Sequence, residues 1–365
     1  MDTQEPALQA LIDQVERARS RGTRLWIRGG GTKDFYGESP AGEVLDTRPL
    51  AGTSSYEPTE LVVTARAGTP LTELEALLAT QGQCLAFEPP HFGAGATVGG
   101  MVASGLSGPS RASAGSVRDH VLGATLLNGR GEVLSFGGQV IKNVAGYDVS
   151  RLLVGALGVL GVVLDVSLKV LPVARATATL RLELDQATAL DTLNRWGAQP
   201  LPLSASAWWN GNLVVRLAGA EAAVRSATER LGGDRIEPGL ADPFWQGLRE
   251  HTDEFFARAR HAVEAQGAAL WRLGVPQTAP PLDLTGETLI EWHGAQRWLV
   301  SSASADTVRA AAAAVGGHAT LFRATDQTPG AFMPLSAPLE RIHRQLKRAF
   351  DPDGLFNPGR LYPGL

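Results

Sequence analysis

The chain has 365 residues, of which 44% are apolar, and a formal net charge of −4. That length suits about two domains with cores of their own, and the absence of any extended basic run excludes a nucleic-acid-binding surface. Cys84 is the only cysteine, which excludes an internal disulfide and a cysteine-ligated iron–sulfur cluster within the chain.

The acidic opening Met1–Glu5 lacks the basic-then-apolar pattern of a signal peptide. Residues 6–21 read as a helix, with Pro6 in its first turn, Leu8, Leu11, Ile12 and Val15 on one face, and Gly22 as its stop. Leu25–Arg28 is a short strand that runs into Gly29-Gly30-Gly31. Leu61–Ala67 is a second strand. A helix opens at Thr69-Pro70, with Leu71, Leu74, Leu77 and Leu78 as its apolar stripe. Val121–Leu127 and Glu132–Phe136 form a hairpin around Asn128-Gly129-Arg130-Gly131. Leu152–Leu164, the longest apolar stretch, contains three glycines and is too short to span a bilayer, which needs about 20 residues. Val162–Val170 reads as a strand closed by Pro172.

Past residue 173 the texture changes. Strands are expected at Thr177–Leu184, Ser204–Trp209, Leu213–Leu217, Trp271–Val275, Thr288–Trp292, Gln296–Ser301 and His318–Phe322. Helices are expected at Ala187–Trp196, Glu221–Leu231 and Asp306–Val315. This order suggests a split β-α-β unit with an antiparallel sheet. Residues 325–336 read as a linker, followed by a helix from Pro338 to Phe350 and a tail. The expected domains are 1–172, 173–336 and a returning segment 337–365. Trp196, Trp208, Trp209, Trp245, Trp271, Trp292 and Trp298 all fall after residue 173, which marks that lobe as a candidate docking surface.

Glycine carries the chemical signal. There are 42 glycines, and each costs roughly 0.5–1 kcal/mol against alanine inside a regular element. Concentrated at 29–31 and 93–108, they suit backbone that must approach something closely with its amides forward. Successive amides of this kind form an anion-binding nest. The spacings Gly93-x-Gly95-x-x-x-Gly99 and Gly155-x-x-Gly158-x-x-Gly161 do not fit G-x-G-x-x-G, and no P-loop is present. A dinucleotide would therefore be held between two loops distant in sequence.

Five segments occur in order: IRGGGTK at 27–33, ATVGGMVASGLSG at 96–108, GSVRDHVLGATLL at 115–127, KNVAGYDVSRLLVGALGVLGVV at 142–163 and DPDGLFNPGR at 351–360. Together they resemble the FAD-linked oxidases of the vanillyl-alcohol oxidase/p-cresol methylhydroxylase superfamily, and within it the FAD-binding E-subunit family of bacterial glycolate oxidases. The resemblance implies an α+β fold: a two-lobed p-cresol methylhydroxylase-type FAD-binding domain plus a ferredoxin-like antiparallel α+β cap lobe. It implies non-covalent FAD, since GGGTK lacks the histidine that some relatives bond to the flavin. By the same resemblance, Arg28, Gly29, Gly30, Gly31, Thr32 and Lys33 cradle one side of the pyrophosphate, and Thr97, Gly99 and Gly100 the other. Ser104, Gly105, Gly108, Ser116, Arg118 and Asp119 lie toward the flavin ring and ribityl chain. Lys142, Tyr147 and Asp148 are candidates on the fourth segment, Gly161 and Val162 bound the adenosine end, and Asn357 and Arg360 return the tail to the flavin domain.

The resemblance also implies partners: a catalytic FAD subunit, an iron–sulfur subunit and a small 2-hydroxy acid. The acidic N-terminus and the short apolar stretches make a soluble cytoplasmic protein the simplest reading, with peripheral contact to the inner membrane through those subunits. Related 2-hydroxyacid dehydrogenases carry H-x-G-D-G-N-x-H and E-H-G segments that supply metal ligands and a base. This chain has neither, and His91, His120, His251, His261, His293, His318 and His343 show no paired ligand spacing. Catalytic residues are unassigned, no metal is expected, and the metal-and-base site is expected on the partner. The residues leave open a self-sufficient FAD-dependent 2-hydroxyacid dehydrogenase, or a FAD scaffold without a redox role. His91, in a Pro/Gly loop, is the one histidine flagged for a possible chemical role.

Overall fold

In the computed structural model, residues 5–138 and 148–365 are described. The first helix, Pro6–Arg21, buries Leu8, Leu11, Val15 and Ala18 and ends at Gly22, whose φ of 64° is the left-handed cap. It packs over β1 (Leu25–Arg28) and β2 (Glu43–Asp46), a parallel pair. Next to them stands a five-stranded antiparallel sheet. It is built from β3 (Thr53–Glu57), β4 (Val62–Arg66), β6 (Val121–Leu127), β7 (Val133–Gly137) and β8 (Val162–Lys169), in the order β3-β4-β8-β6-β7. A two-residue pair, β5 (Gln83–Cys84) with β9 (Leu171–Pro172), closes one edge. β8 is buried over seven of its eight residues because one face meets the helix Leu71–Ala79 and the other meets the first helix. Val162 therefore points away from the glycine loops, into the core around the first helix.

The second half is an eight-stranded antiparallel sheet. Its strands are β10 (Ala176–Glu183), β11 (Leu203–Trp209), β12 (Asn212–Gly219), β13 (Asp234–Ile236), β14 (Ala269–Gly274), β15 (Glu287–Glu291), β16 (Gln296–Ser301) and β17 (His318–Arg323). They lie in the order β13-β10-β12-β11-β15-β16-β14-β17. Alternation along β12 shows how both faces are covered: Leu213, Val215 and Leu217 meet the helices Gln186–Gly197 and Glu221–Leu231, while Val214 faces the opposite core. That opposite core is built on the helices Pro238–Glu250 and Glu254–Gln266, which the sequence reading left unassigned. It also takes in Tyr36, Leu106 and Leu157 from the first half, so it joins the two sheets.

Trp208 and Trp209 point to opposite faces of β11, as strand geometry requires. Neither is exposed. The Trp208 indole donates to Leu184 O at 2.8 Å, and the Trp209 indole to Glu287 Oε1 at 2.9 Å. None of the eight tryptophans is exposed, so the expectation of a tryptophan docking surface gives way to packing.

The last helix, Ala337–Phe350, returns the chain to the first half. Buried Lys347 donates to Val159 O, Phe356 O and Asp351 Oδ2, each at 2.7 Å. Leu25 N donates to Leu355 O at 2.7 Å, and Asn357 N to Leu25 O at 2.9 Å, which adds the tail alongside β1.

Candidate functional site

An open cleft lies where β1 runs out into Gly29. Arg28 to Lys33 form one wall; Thr97, Gly99, Gly100 and Ser104, on the helix Val98–Ser104, form another. Gly161, Asn357 and Arg360 close it. Thirteen of the sequence-assigned residues thus meet in one cavity, drawn from four stretches of chain.

The two glycine segments differ in kind. Among the described residues, the amides of Gly29, Gly30, Gly31, Thr32 and Lys33 donate to no other group. A run of unspent N–H groups on a cleft wall is an anion site. At the start of its helix the second segment has spent its donors. Val98 N goes to Thr69 O at 2.9 Å, Gly99 N to Ala67 O at 2.7 Å, and Gly100 N to Thr97 Oγ1 at 3.2 Å. Its glycines serve close packing. A Cβ on Gly30 would overlap Gly95 O, and one on Gly99 would sit 2.8 Å from the Ala67 Cβ. The loops touch backbone to backbone, and that contact shapes the cavity.

The charged residues here are held in place by the protein itself. Arg28 Nε pairs with Asp34 at 2.8 Å. Lys33 Nζ donates to His91 O at 3.2 Å and lies 5.4 Å from the Phe92 ring centre, and burial pushes its ammonium down to about 8. Asn357 accepts from Ile27 N at 2.7 Å and donates to Leu157 O at 2.6 Å. Arg360 spends its fork on the carbonyls of Asp34 and Glu38. These two residues pin the tail.

The remaining assigned residues lie outside the cleft. Gly105 takes a φ of 63° at the end of the helix Val98–Ser104 and abuts Gly155. Gly108 accepts from the Trp292 indole at 3.0 Å. Ser116 and Asp119 cap a short helical turn through each other. Arg118 reaches Val154 O and borders a separate apolar hollow beside Leu346. Asp148 binds Ser150 and Arg151. Lys142 and Tyr147 fall outside the described residues. His91 Nε2 stands 3.1 Å from Glu75 Oε2, and its amide donates to Glu250 at 3.0 Å, so its loop is tied to acidic side chains.

Sequence reasoning missed a small polar cluster around a hollow of about 10 Å³, room for about one water, beside Phe92. Glu291, Gln296, Trp298, Arg272 and His251 line it. The register explains the convergence: Glu291 pairs with Gln296 across the β15–β16 turn, and Arg272 of β14 pairs with Trp298. Paired residues and residues two apart share a sheet face. Glu291 Oε2 accepts from the Trp298 indole at 2.6 Å and from Gln296 at 3.0 Å. Burial raises its carboxyl to about 7 despite those two donors. His251 is buried and stacked on Phe256 at 3.8 Å; burial, aided by nearby arginines, holds its imidazole well below its usual range. No sequence pattern announces this group, because its members come from separate elements. Among the described residues no three His, Cys, Asp or Glu side chains are arranged to hold a metal.

Comparison with known proteins fits this geometry. The profile of the FAD binding domain family matches residues 7–137, the part that carries both glycine loops. Over 357 residues, 98% of each chain, the sequence is 49% identical to glycolate oxidase subunit GlcE of Escherichia coli (strain K12). The chain belongs to the GlcE family. It is an FAD-linked oxidoreductase subunit with a p-cresol methylhydroxylase-type FAD-binding domain. Its likeness to other flavoenzymes is partial. It is 33% identical to a D-lactate dehydrogenase of Archaeoglobus fulgidus over 45% of this chain and 37% of that one. It is 30% identical to glycolate oxidase subunit GlcD of Bacillus subtilis (strain 168) over 42% of this chain and 33% of that one. In fold it is similar to alkyldihydroxyacetonephosphate synthase, with a TM-score of 0.63 at 14% identity over 96% of this chain and 75% of that one. No helix among the described residues is long and apolar enough to cross a membrane.

Proposed function

We propose that this chain is the FAD-holding subunit of a glycolate-oxidising complex, with FAD bound non-covalently in the cleft beside the glycine loops. The observation that carries the reading is the run of five unspent amides from Gly29 to Lys33. They suit a pyrophosphate, and Lys33 adds a cation at the end of the run. Gly99 and Gly100 contribute surface and spacing rather than donors. Trp26, Ile27, Leu157 and Val163 give the apolar walls a flat aromatic ligand needs. Among the described residues no histidine, cysteine or tyrosine lines the cleft, which supports a non-covalent cofactor.

When bound, FAD supplies the two-electron redox chemistry. The chain's own residues bind and orient it. The amides fix the anionic centre, the tail residues Asn357 and Arg360 brace the loops, and the helix Val98–Ser104 sets the width of the cleft. The GlcE and GlcD names support a hetero-oligomer with a second flavoprotein subunit. A cluster-bearing iron–sulfur subunit, a cytoplasmic location and peripheral membrane association belong to the same proposal, as does the division into domains 1–172, 173–336 and 337–365. The test is co-expression with the neighbouring subunits. Flavin should co-purify with this chain, and glycolate should reduce an artificial acceptor. Colourless protein after FAD addition would refute the cofactor site; yellow protein in a complex inert to glycolate would refute the complex.

A further inference from the structure

The amides from Gly29 to Lys33 are backed by a second loop, residues 91–95. Lys33 Nζ donates to His91 O at 3.2 Å and lies 5.4 Å from the Phe92 ring centre. A Cβ on Gly93 would come within 3.2 Å of the Thr32 methyl, and one on Gly30 would overlap Gly95 O. In so close a packing the course of the backing loop fixes where the five amides point.

The backing loop is strained. Phe92 is a non-glycine residue with a φ of 55°, and Gly93 beside it stands at 147°. A bulky residue stays in the left-handed region only where its surroundings enforce it, and such positions cluster at ligand sites. The enforcement comes from the other half of the chain. Glu250, the last residue of the helix Pro238–Glu250, accepts from His91 N at 3.0 Å and from Phe92 N at 2.8 Å, both on Oε2. Its Oε1 accepts from Arg249 Nε at 2.8 Å, so both oxygens are engaged. The Phe92 ring is then held between Phe35 and Phe322 of β17, at ring-centre distances of 5.8 and 6.4 Å.

Glu250 also acts on Lys33 through its charge. Burial pushes the Lys33 ammonium down to about 8, and the Glu250 carboxylate opposes that push. The other charged neighbours are engaged elsewhere. Arg360 of the tail reaches only the Lys33 carbonyl, at 3.5 Å, and Asp34 is paired with Arg28 at 2.8 Å.

We infer that Glu250 is a positioning residue for the cofactor: it holds the 91–95 loop so that the Gly29–Lys33 amides face the pyrophosphate. The inference rests on the flavoprotein reading above and deepens it, because it makes the FAD site a joint product of both halves of the chain. Without this carboxylate two loop amides lose their acceptor, Phe92 is released from its left-handed backbone, and the amide run loses its backing.

The experiment is titration of the flavin-stripped full chain with FAD, read by flavin fluorescence from neutral pH to well above 8, with hydrogen exchange of residues 91–95 in parallel. Wild-type affinity should fall as pH rises past about 8, where Lys33 of the free chain loses its proton. Glu250→Ala should weaken FAD at pH 7 by about thirtyfold or more and speed exchange at residues 91 and 92. Glu250→Gln keeps an acceptor without the charge. It should bind FAD at pH 7 within about fivefold of the wild type, yet begin to lose it at a lower pH, a displacement that a merely structural role would not produce. Wild-type affinity in Glu250→Ala, or weakened binding with unchanged exchange at 91–95, overturns the role. If Glu250→Ala does not fold, the pH profile of Glu250→Gln decides, and an undisplaced profile overturns it. A wild-type chain that takes up no FAD refutes the cofactor site and this inference with it; FAD uptake that ignores both variants refutes the role of Glu250 alone.

Discussion

The cleft and the polar hollow beside Phe92 are made of different material. The cleft offers backbone: five amides with nothing to donate to. The hollow offers side chains, an arginine and a carboxyl brought together by strand register and an imidazole from a helix cap. A backbone site demands particular residues at particular places, because only glycine lets Gly30 meet Gly95 without overlap. A side-chain site demands only that common residues converge. The first kind leaves a trace in sequence and the second does not. The same contrast repeats between the two glycine segments, where one keeps its amides free and the other uses them to hold its helix.

The largest expected effect tests that contrast directly. Gly30→Val should abolish flavin retention, because the branched side chain drives the two loops apart. Gly100→Ala should retain flavin, since its Cβ meets only the Thr97 hydroxyl at 3.2 Å. The ratio of absorbance near 450 nm to that of protein, after gel filtration, reads both; equal flavin in the two variants would end the packing account.

Next comes Lys347, the buried cation that clamps the tail behind the cleft. Lys347→Met leaves Asp351 buried without its counter-ion and should cost about 3–5 kcal/mol. Urea unfolding measures it, and a loss under about 1 kcal/mol would show that the tail holds without the clamp.

The hollow makes a prediction in pH. Glu291 is raised from 4.5 to about 7, chiefly by burial and further by Asp253, against the opposing Trp298, Gln296 and Arg272. Between those values the folded chain keeps a proton that the unfolded chain has released. Its stabilising contribution is thus complete below about pH 4.5 and is lost as pH rises through 7. Glu291→Gln, which cannot ionise, should gain on the wild type by a few kcal/mol from pH 4.5 to above 7. Parallel unfolding curves across that range would place Glu291 in water rather than in a dry hollow.

The smallest effect concerns the tryptophans. Trp209→Phe removes one indole bond, to Glu287, and should cost about 1 kcal/mol while leaving subunit assembly unchanged. Weakened pull-down at unchanged melting temperature would restore the docking role for this lobe.

By itself the sequence determined the strand that feeds the first glycine run, the antiparallel character of the second half, thirteen of the residues that line the cleft and the family to which the chain belongs. Those features are written locally, in period, punctuation and motif order. The sequence did not disclose that the Gly99 and Gly100 amides are already spent, because helix caps depend on which carbonyl lies opposite. It left the helices Pro238–Glu250 and Glu254–Gln266 unassigned. It gave no sign of the hollow. Glu291, Arg272 and His251 sit on a strand end, a mid-strand position and a helix cap. Only the pairing of β14, β15 and β16 turns Glu291 and Arg272 to one face, and only burial there shifts the protons of Glu291 and His251. Register and dielectric are properties of the folded chain, so tertiary structure alone decided where its ionisable chemistry lies.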